Sequence, residues 1–280
     1  MEKLLWLLAV AIATLAFAGC GDDEEEEPAP SSGGAEQTAE PGAQLELKTD
    51  GQLTIGAEFP VPGFLELPIE DPKGFEADLG KALAAELGVE KVKWVSTPFS
   101  GLFSPAPKPF DMAINEVTIT DERAQVVDFS DPYFNANQGF LVTKGGPGEA
   151  ADSIAAMKDL QFGFQATTTG GDLIKDTIKP SKQPRQYSTL GAATKALANG
   201  QIDAFAMDVA IGSSIVEDLP DEVGMTGQFE TGEEYGIVFQ KGNALREQVN
   251  EAIAAIKESG KLEEMQKEWF PGTESLTVFE

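Results

Sequence analysis

The chain has 280 residues, with 20 lysines and arginines against 47 aspartates and glutamates, for a formal net charge of -27. Such a surface repels nucleic acid, because nucleic-acid binding depends on neutralising phosphates with basic side chains. With no histidine and a single cysteine, Cys20, the chain also lacks the residues for Ser-His-Asp or Cys-His catalysis, for His/Cys zinc sites and for an internal disulfide. We therefore expect no metal and no other cofactor.

The N-terminus predicts a secreted, lipid-anchored protein. Residues 1–20 form an apolar run of signal-peptide length that ends in FAGC. This ending resembles the lipobox of bacterial lipoproteins, in which the cysteine receives the lipid, so we expect Cys20 to be the attachment site. The alternative is a cleaved signal with an incidental cysteine. Residues 21–44 are rich in acidic residues, Pro, Gly and Ser, which predicts a disordered linker.

The first half of the remaining chain alternates between strand and helix patterns. LTIGA predicts a strand, and GFEADLGKALAAELG predicts a helix, because Phe75, Leu79, Leu83 and Leu87 recur every four residues. VKWVS and FDMAINEV predict strands, and Thr120 before DER predicts a helix start. GFLVTK predicts another strand, and GGPGEA a break.

A second series of the same kind follows. It contains a strand FGFQ, a turn ATTTGGD, helices LIKDTI and GAATKALANG, and strands DAFAM and YGIVF. The tail from ALREQ to EWF predicts a helical segment, with an apolar stripe at Leu245, Val249, Ile253 and Ile256. Alternating strands and helices predict parallel α/β sheets in two units, separated near residues 142–148, with a return to the first near Tyr235.

Five segments resemble the family 3 solute-binding proteins, the amino-acid receptors of bacterial ABC importers. They are GFEADLGKALAAELG, TITDERAQVVDFSDPYF, GQIDAFAMD, YGIVF and GKLEEMQKEWF, in the family's order and spacing. The resemblance implies an α/β protein with the two-lobed periplasmic-binding-protein type II fold and a hinge between the lobes. It implies lobe I at 45–142, with 236–280 returning to it, and lobe II at 143–235.

In this family the arginine of the TITDER segment grips the ligand's α-carboxylate, which implies that role for Arg123. A guanidinium suits it, because its planar fork reaches both carboxylate oxygens. Thr118, at the end of the preceding strand, would add a hydroxyl and a backbone N–H. The residues alone also allow Arg123 to be a surface residue paired with Asp121 or Asp128.

The second half of the clamp is implied in lobe II. Alignment with the family brings Thr169 to the ligand carboxylate and Thr168 and Gln165 to the site wall, with Thr167 where the family has glycine. The alternative for the hydroxyl-rich turn is a helix N-cap that binds no ligand. Asp208 aligns with the aspartate for the ligand's α-ammonium, and it too suits a helix N-cap.

Side-chain specificity is implied by three further positions. Phe99 aligns with the aromatic that lies against the ligand's side chain, whereas Val61 stands where its partner aromatic usually is. Glu58 replaces a frequent aspartate, and Glu116 replaces a small Ser or Gly. Two carboxylates near the pocket would favour a cationic ligand side chain, unless both are solvated rim residues.

The resemblance implies a receptor rather than an enzyme. It would capture an amino acid by hinge closure and deliver it to the permease and ATPase subunits of an ABC importer. We expect a monomer, tethered outside the cytoplasm through Cys20. One alternative is an enzyme such as a dehydratase, with Glu58 or Glu116 as general acid, and another is a ligand-sensing module. The sequence contains no recognisable nucleophile–base pair, which favours the receptor.

Overall fold

The computed structural model describes residues 45–271 and 276–279. The predicted signal peptide, its Cys20 and the predicted linker lie outside the described residues. In the part that is described, no helix combines the length and the apolar character needed to cross a membrane.

Ten strands and eight helices make up the described ranges. The strands are β1 (Gln52–Ala57), β2 (Lys91–Ser96), β3 (Met112–Ala113), β4 (Val127–Phe129), β5 (Phe134–Thr143), β6 (Phe162–Gln165), β7 (Arg185–Tyr187), β8 (Ala204–Asp208), β9 (Val223–Tyr235) and β10 (Val238–Gln240). The helices are α1 (Phe75–Glu86), α2 (Asp121–Ala124), α3 (Ile154–Met157), α4 (Thr169–Leu173), α5 (Leu190–Ala198), α6 (Val209–Asp218), α7 (Leu245–Glu258) and α8 (Lys261–Trp269). A 3-10 turn covers Phe99–Phe103, and a π turn at Ile174–Ile178 continues α4.

The first sheet has the strand order β2-β1-β3-β10-β4. Strand β1 pairs in parallel with β2 on one side and β3 on the other, and it is buried from Leu53 to Ala57. Helix α1 follows β1, and the apolar face predicted for it is buried, with Phe75, Leu79 and Leu83 fully inaccessible. Strand β10 is antiparallel to both of its neighbours, β3 and β4. The predicted parallel arrangement therefore holds only for β2, β1 and β3.

The second sheet has the order β7-β6-β8-β5-β9. β6 is parallel to β7 and β8, as predicted for strands joined through helices. The long strand β5 is antiparallel to β8 and β9. The two helix-covered sheets confirm the predicted two-lobed α/β fold; the first sheet with its helices is called the first lobe below, and the second sheet with its helices the second lobe.

The chain crosses between the sheets at positions that differ from the predicted lobe boundaries. β5 spans residues 134–143 and pairs only with strands of the second sheet, so the first crossing lies just before Phe134 and not after residue 142. The reason is that the apolar pattern of GFLVTK continues a strand that already begins at Phe134. The return lies between Tyr235, where β9 ends, and Val238, where β10 begins.

The C-terminal segment differs from the prediction in two ways. The helical tail is two helices, because Gly260 takes a left-handed φ of 77° between α7 and α8. Both helices pack against α1 of the first lobe. Residues 276–279 instead lie on the second lobe, where the Phe279 N–H donates to the Gln228 carbonyl at 2.8 Å and the Phe279 ring contacts Phe229. The predicted return of 236–280 to the first lobe is therefore wrong for these last residues.

Candidate ligand-binding site

A cavity lies where strands of both sheets end. All nine predicted ligand-binding residues of the described chain line it: Glu58, Phe99, Glu116, Thr118, Arg123, Gln165, Thr168, Thr169 and Asp208. The cavity volume is about 40 Å³, against roughly 300–1,000 Å³ for typical ligand pockets. Polar side chains from the two lobes already touch across it, so a ligand enters only if the lobes or these side chains move.

Arg123 is positioned by a single helical turn. The Thr120 hydroxyl accepts from the Arg123 N–H at 3.2 Å, which caps α2 as predicted. The guanidinium is buried against two adjacent aromatic rings, 5.5 Å from the centroid of Phe99 and 5.0 Å from that of Phe103. Burial lowers the pKa of Arg123, and nearby carboxylates, led by Asp208, oppose that shift.

The fork of Arg123 connects the two lobes. Its Nη1 donates to the Thr118 carbonyl at 2.6 Å, and its Nη2 donates to the Thr167 carbonyl of the second lobe at 2.9 Å. The surface ion pair with Asp128 does not form, because Asp128 pairs with Lys241 at 2.9 Å. Arg123 therefore faces the cleft and not the solvent.

The threonine turn before α4 has strained backbone where the family has glycine. Thr167 has a φ of 66°, in the left-handed region that branched residues rarely adopt. Thr168 occupies the N-cap position, but its hydroxyl donates to the Gln165 carbonyl at 2.8 Å and does not cap the helix. The simple N-cap interpretation thus fails for Thr168, and the Thr169 hydroxyl is turned into the cleft.

Asp208 also occupies an N-cap position without acting as a cap. No side-chain hydrogen bond from Asp208 caps α6. Its carboxylate instead accepts a short hydrogen bond from Gln138 Nε2 of β5. Burial, and next the charge of Glu233, raise the pKa of Asp208 to about 7, while Tyr235 and Arg123 oppose the shift. The side chain is therefore held in the cavity wall.

Glu58 joins the two lobes from the first-lobe side. One oxygen accepts from the Phe99 N–H at 3.0 Å and from Gln165 Nε2 at 2.9 Å. The other accepts from the Leu190 N–H of the second lobe at 3.4 Å. The residue is buried, so the interpretation of Glu58 as a solvated rim residue is wrong.

Glu116 is buried as well and belongs to an acid pair beneath the cavity. Its φ of 46° is left-handed, and its N–H donates to Glu76 Oε1 at 2.8 Å. Its own Oε1 is buried and accepts no hydrogen bond from the described residues, and the same holds for Glu76 Oε2. Burial is the main reason that the pKa of Glu116 lies well above its usual range, and the negative charge of Glu76 is the next. Burial also raises the pKa of Glu76 to about 7.

The sequence analysis missed several residues of the site. Gln138 lines the cavity and is almost fully buried. Its signal was weak, because it stands just before the apolar run GFLVT and beside two further amides, Asn135 and Asn137. Glu233 and Phe103 touch the predicted residues Thr169 and Arg123. Glu233 had no distinguishing signal, since it is one of several glutamates in ETGEEYG.

Comparisons with known proteins agree with this geometry. The sequence profile of the bacterial extracellular solute-binding proteins, family 3, matches residues 53–272. The L-cystine-binding protein TcyJ of Escherichia coli is 31% identical, over 83% of this chain and 87% of that protein. The L-arginine-binding protein of Pseudomonas aeruginosa is also 31% identical, over 79% of this chain and 88% of its own.

A solved structure shows the same fold. The structure of an ancestral arginine-binding protein bound to arginine has a TM-score of 0.70 and 34% identity, and the match covers 79% of this chain and 98% of that chain. The two helix-covered sheets with a cleft between them are thus those of a type II periplasmic binding protein. The chain belongs to family 3 of the bacterial extracellular solute-binding proteins.

Proposed function

We propose that the protein captures a free amino acid in this cleft and delivers it to the permease of an ABC importer. The observation that carries the proposal is the convergence of Arg123 and Thr118 from the first lobe with Thr169 and Asp208 from the second around one cavity. A cation, two hydroxyls and a carboxylate are the groups that an α-carboxylate and an α-ammonium require.

Capture would proceed by closure of the two lobes. Two hydrogen bonds of 2.9 Å already cross the cleft, from Arg123 to the Thr167 carbonyl and from Gln165 to Glu58. A ligand that contacts both sides at once binds the closed form more tightly than the open form, and this difference in affinity drives closure. The short connections near Phe134 and Tyr235 are the positions at which the lobes would hinge.

We propose a cationic side chain for the ligand. Glu58 and Glu116 both line the cavity, and Glu116 has a carboxylate oxygen that no described residue satisfies. A guanidinium or ammonium would pair with that oxygen and favour the charged carboxylate, whose pKa burial and Glu76 otherwise raise, whereas an acidic side chain would add another buried negative charge. The relatives that bind L-cystine and L-arginine support the amino-acid class, and the two buried glutamates support the cationic choice within it.

The proposed setting is the outer face of a membrane. We propose that lipidated Cys20 anchors a monomer there, that residues 21–44 act as the tether, and that permease and ATPase subunits complete the importer. We also propose binding without chemical conversion, because the charged residues of the cavity are all used by the ligand contacts above.

A thermal-shift screen tests this function. Purified protein is heated with each of the twenty amino acids and ornithine, since a ligand that binds only the native state raises the apparent melting temperature. We expect arginine, lysine or ornithine to give the largest shift, glutamine a smaller one and glutamate the smallest. If glutamate or glutamine gives the largest shift, the cationic preference is wrong; if no amino acid shifts the transition, the function is wrong.

Turnover is measured in the same samples. We expect each stabilising amino acid to be recovered unchanged by mass spectrometry after long incubation. Candidate substrates of a dehydratase, such as prephenate-like acids, are incubated in parallel. Formation of a product from any of them contradicts a purely binding role.

A further inference from the structure

Glu233 lies on β9, two residues before the chain returns to the first lobe. Its Oε2 accepts three hydrogen bonds: from the Thr118 hydroxyl at 2.8 Å, from the Thr169 hydroxyl at 2.8 Å and from Gln138 Nε2 at 3.2 Å. Thr118 belongs to the first lobe, and the other two donors belong to the second. One carboxylate oxygen therefore collects donors from both sides of the cleft.

The donors used by Glu233 are those proposed for the ligand. Thr118 and Thr169 are the two hydroxyls assigned above to the α-carboxylate, and Arg123 is close enough for the Glu233 charge to raise the pKa of Arg123. A hydroxyl has one proton to donate, so each threonine serves either Glu233 or a ligand carboxylate. Two carboxylates at this point would also repel each other.

Neighbouring acidic residues of the same strand lack this arrangement. Glu230 and Glu234 are exposed, whereas Glu233 is partly buried and turned into the cleft. The contacts are thus specific to position 233 and are not a general property of an acidic strand.

We infer that Glu233 is an internal substitute for the ligand carboxylate, which latches the lobes together through Thr118 and Thr169 and must be displaced before an amino acid can bind. The consequence for ligand affinity rests on the proposed function, whereas the latch itself does not. When a fraction of the protein is latched, the apparent affinity for a ligand falls in proportion to the competent fraction that remains. Glu233 would thus lower the apparent affinity of the receptor for its ligand.

The first experiment measures arginine binding by calorimetry for the wild type, Glu233→Ala, Glu233→Gln and the matched control Glu234→Ala. We expect Glu233→Ala to bind arginine about tenfold more tightly than the wild type, in line with the loss of one competing charge-assisted contact. Glu233→Gln keeps an acceptor oxygen and should give a smaller gain, and Glu234→Ala should leave the affinity unchanged. Weaker binding in both Glu233 variants would make Glu233 a direct ligand contact and overturn the proposal.

The second experiment needs no amino acid. Small-angle scattering of the ligand-free proteins should show a larger radius of gyration for Glu233→Ala than for the wild type or Glu234→Ala. Added acetate, compared with chloride at equal ionic strength, should raise the melting temperature of Glu233→Ala alone, because a free carboxylate fills the vacated donor set. If Glu233→Ala matches the wild type in both measurements, no latch exists. If both effects are present but arginine binds no variant, the latch stands and the proposed ligand is wrong.

Discussion

Two residues that contribute backbone groups to the site have conformations that side chains disfavour. Thr167 has a φ of 66° and Glu116 a φ of 46°, and the left-handed region costs a non-glycine residue about 1–2 kcal/mol. The Thr167 carbonyl accepts from Arg123, and the Glu116 N–H donates to Glu76. The disfavoured conformations thus occur where backbone groups shape the site, which is where such strain tends to be retained.

Replacing Arg123 by lysine should weaken amino-acid binding by roughly 10- to 100-fold. The charge is retained, but lysine is a point charge without the planar fork that contacts Phe99 and Phe103. Calorimetry with arginine measures the effect. Arg185→Lys on the exposed strand β7 is the control and should bind as the wild type does. An unchanged dissociation constant in Arg123→Lys would rule out the carboxylate clamp.

The buried acid pair makes stability depend on pH. Burial holds the pKa of Glu76 at about 7 and raises that of Glu116, which also faces Asp208 and Glu58 across the cavity. The folded state therefore holds protons that the unfolded state releases above its ordinary carboxyl pKa. This stability is fully present below about pH 4.5 and is lost as the pH rises through about 7.

Urea unfolding at pH 5 and pH 8 tests this expectation. We expect the free energy of unfolding to fall by on the order of 2 kcal/mol from pH 5 to pH 8. Glu116→Gln should reduce that fall, because a neutral amide removes one buried charge and donates to the remaining carboxylate. The exposed control Glu234→Gln should retain the wild-type pH dependence. A stability that rises over this range would contradict the assignment.

At the scale of elements, the 3-10 turn Phe99–Phe103 carries the aromatic wall of the site. Its C-terminal end is held by Lys108, whose Nζ donates to the Gly101 carbonyl at 2.9 Å and to the Ser104 carbonyl at 2.6 Å. Burial lowers the pKa of this lysine. The ammonium thus fixes the turn that places Phe99 and Phe103 against Arg123.

Lys108→Met should lower the free energy of unfolding by about 1–2 kcal/mol, because the partly buried carbonyls of Gly101 and Ser104 lose a charged donor. It should also weaken arginine binding, since the turn no longer holds the two rings over Arg123. Denaturant unfolding and calorimetry measure the two effects. Lys93→Met, on the exposed edge strand β2, is the matched control; equal stability of the two variants would show that the turn does not depend on Lys108.

At the scale of the whole molecule, two chain crossings join lobes that each have their own sheet. Two contacts across the cleft also connect these lobes, one between Arg123 and Thr167 and one between Glu58 and Gln165. All four residues follow the predicted linker in the sequence. Anchoring and ligand capture are therefore expected to be independent properties of the chain.

Cys20→Ser should release the protein from the membrane fraction without changing its affinity for arginine, because the proposed lipid attaches ahead of the linker and outside both lobes. Fractionation followed by immunoblotting measures the release, and calorimetry on the soluble protein checks the affinity. A variant that stays in the membrane fraction after signal cleavage would contradict lipid attachment at Cys20.

The local sequence already determined most elements, and the family resemblance supplied the candidate clamp residues. Periodicity located α1 and the strands around it, and the TITDER segment with Asp208 and the threonine turn identified residues that line one cavity. The predictions of helices and strands succeeded because periodicity and turn chemistry depend on residues that are near in the chain. Motif spacing could not show that Glu58 and Glu116 are buried, since burial depends on what packs against them.

Only the tertiary structure decided the lobe boundaries, the direction of β10 and the role of Glu233. Strand β5 joins the second sheet through partners more than 60 residues away, and the register of those partners is not encoded in its own pattern. Glu233 meets Thr118, which is 115 residues distant, only because β9 passes the cleft before it returns to the first lobe. Contacts of this kind depend on how the elements pack together, which local propensity does not determine.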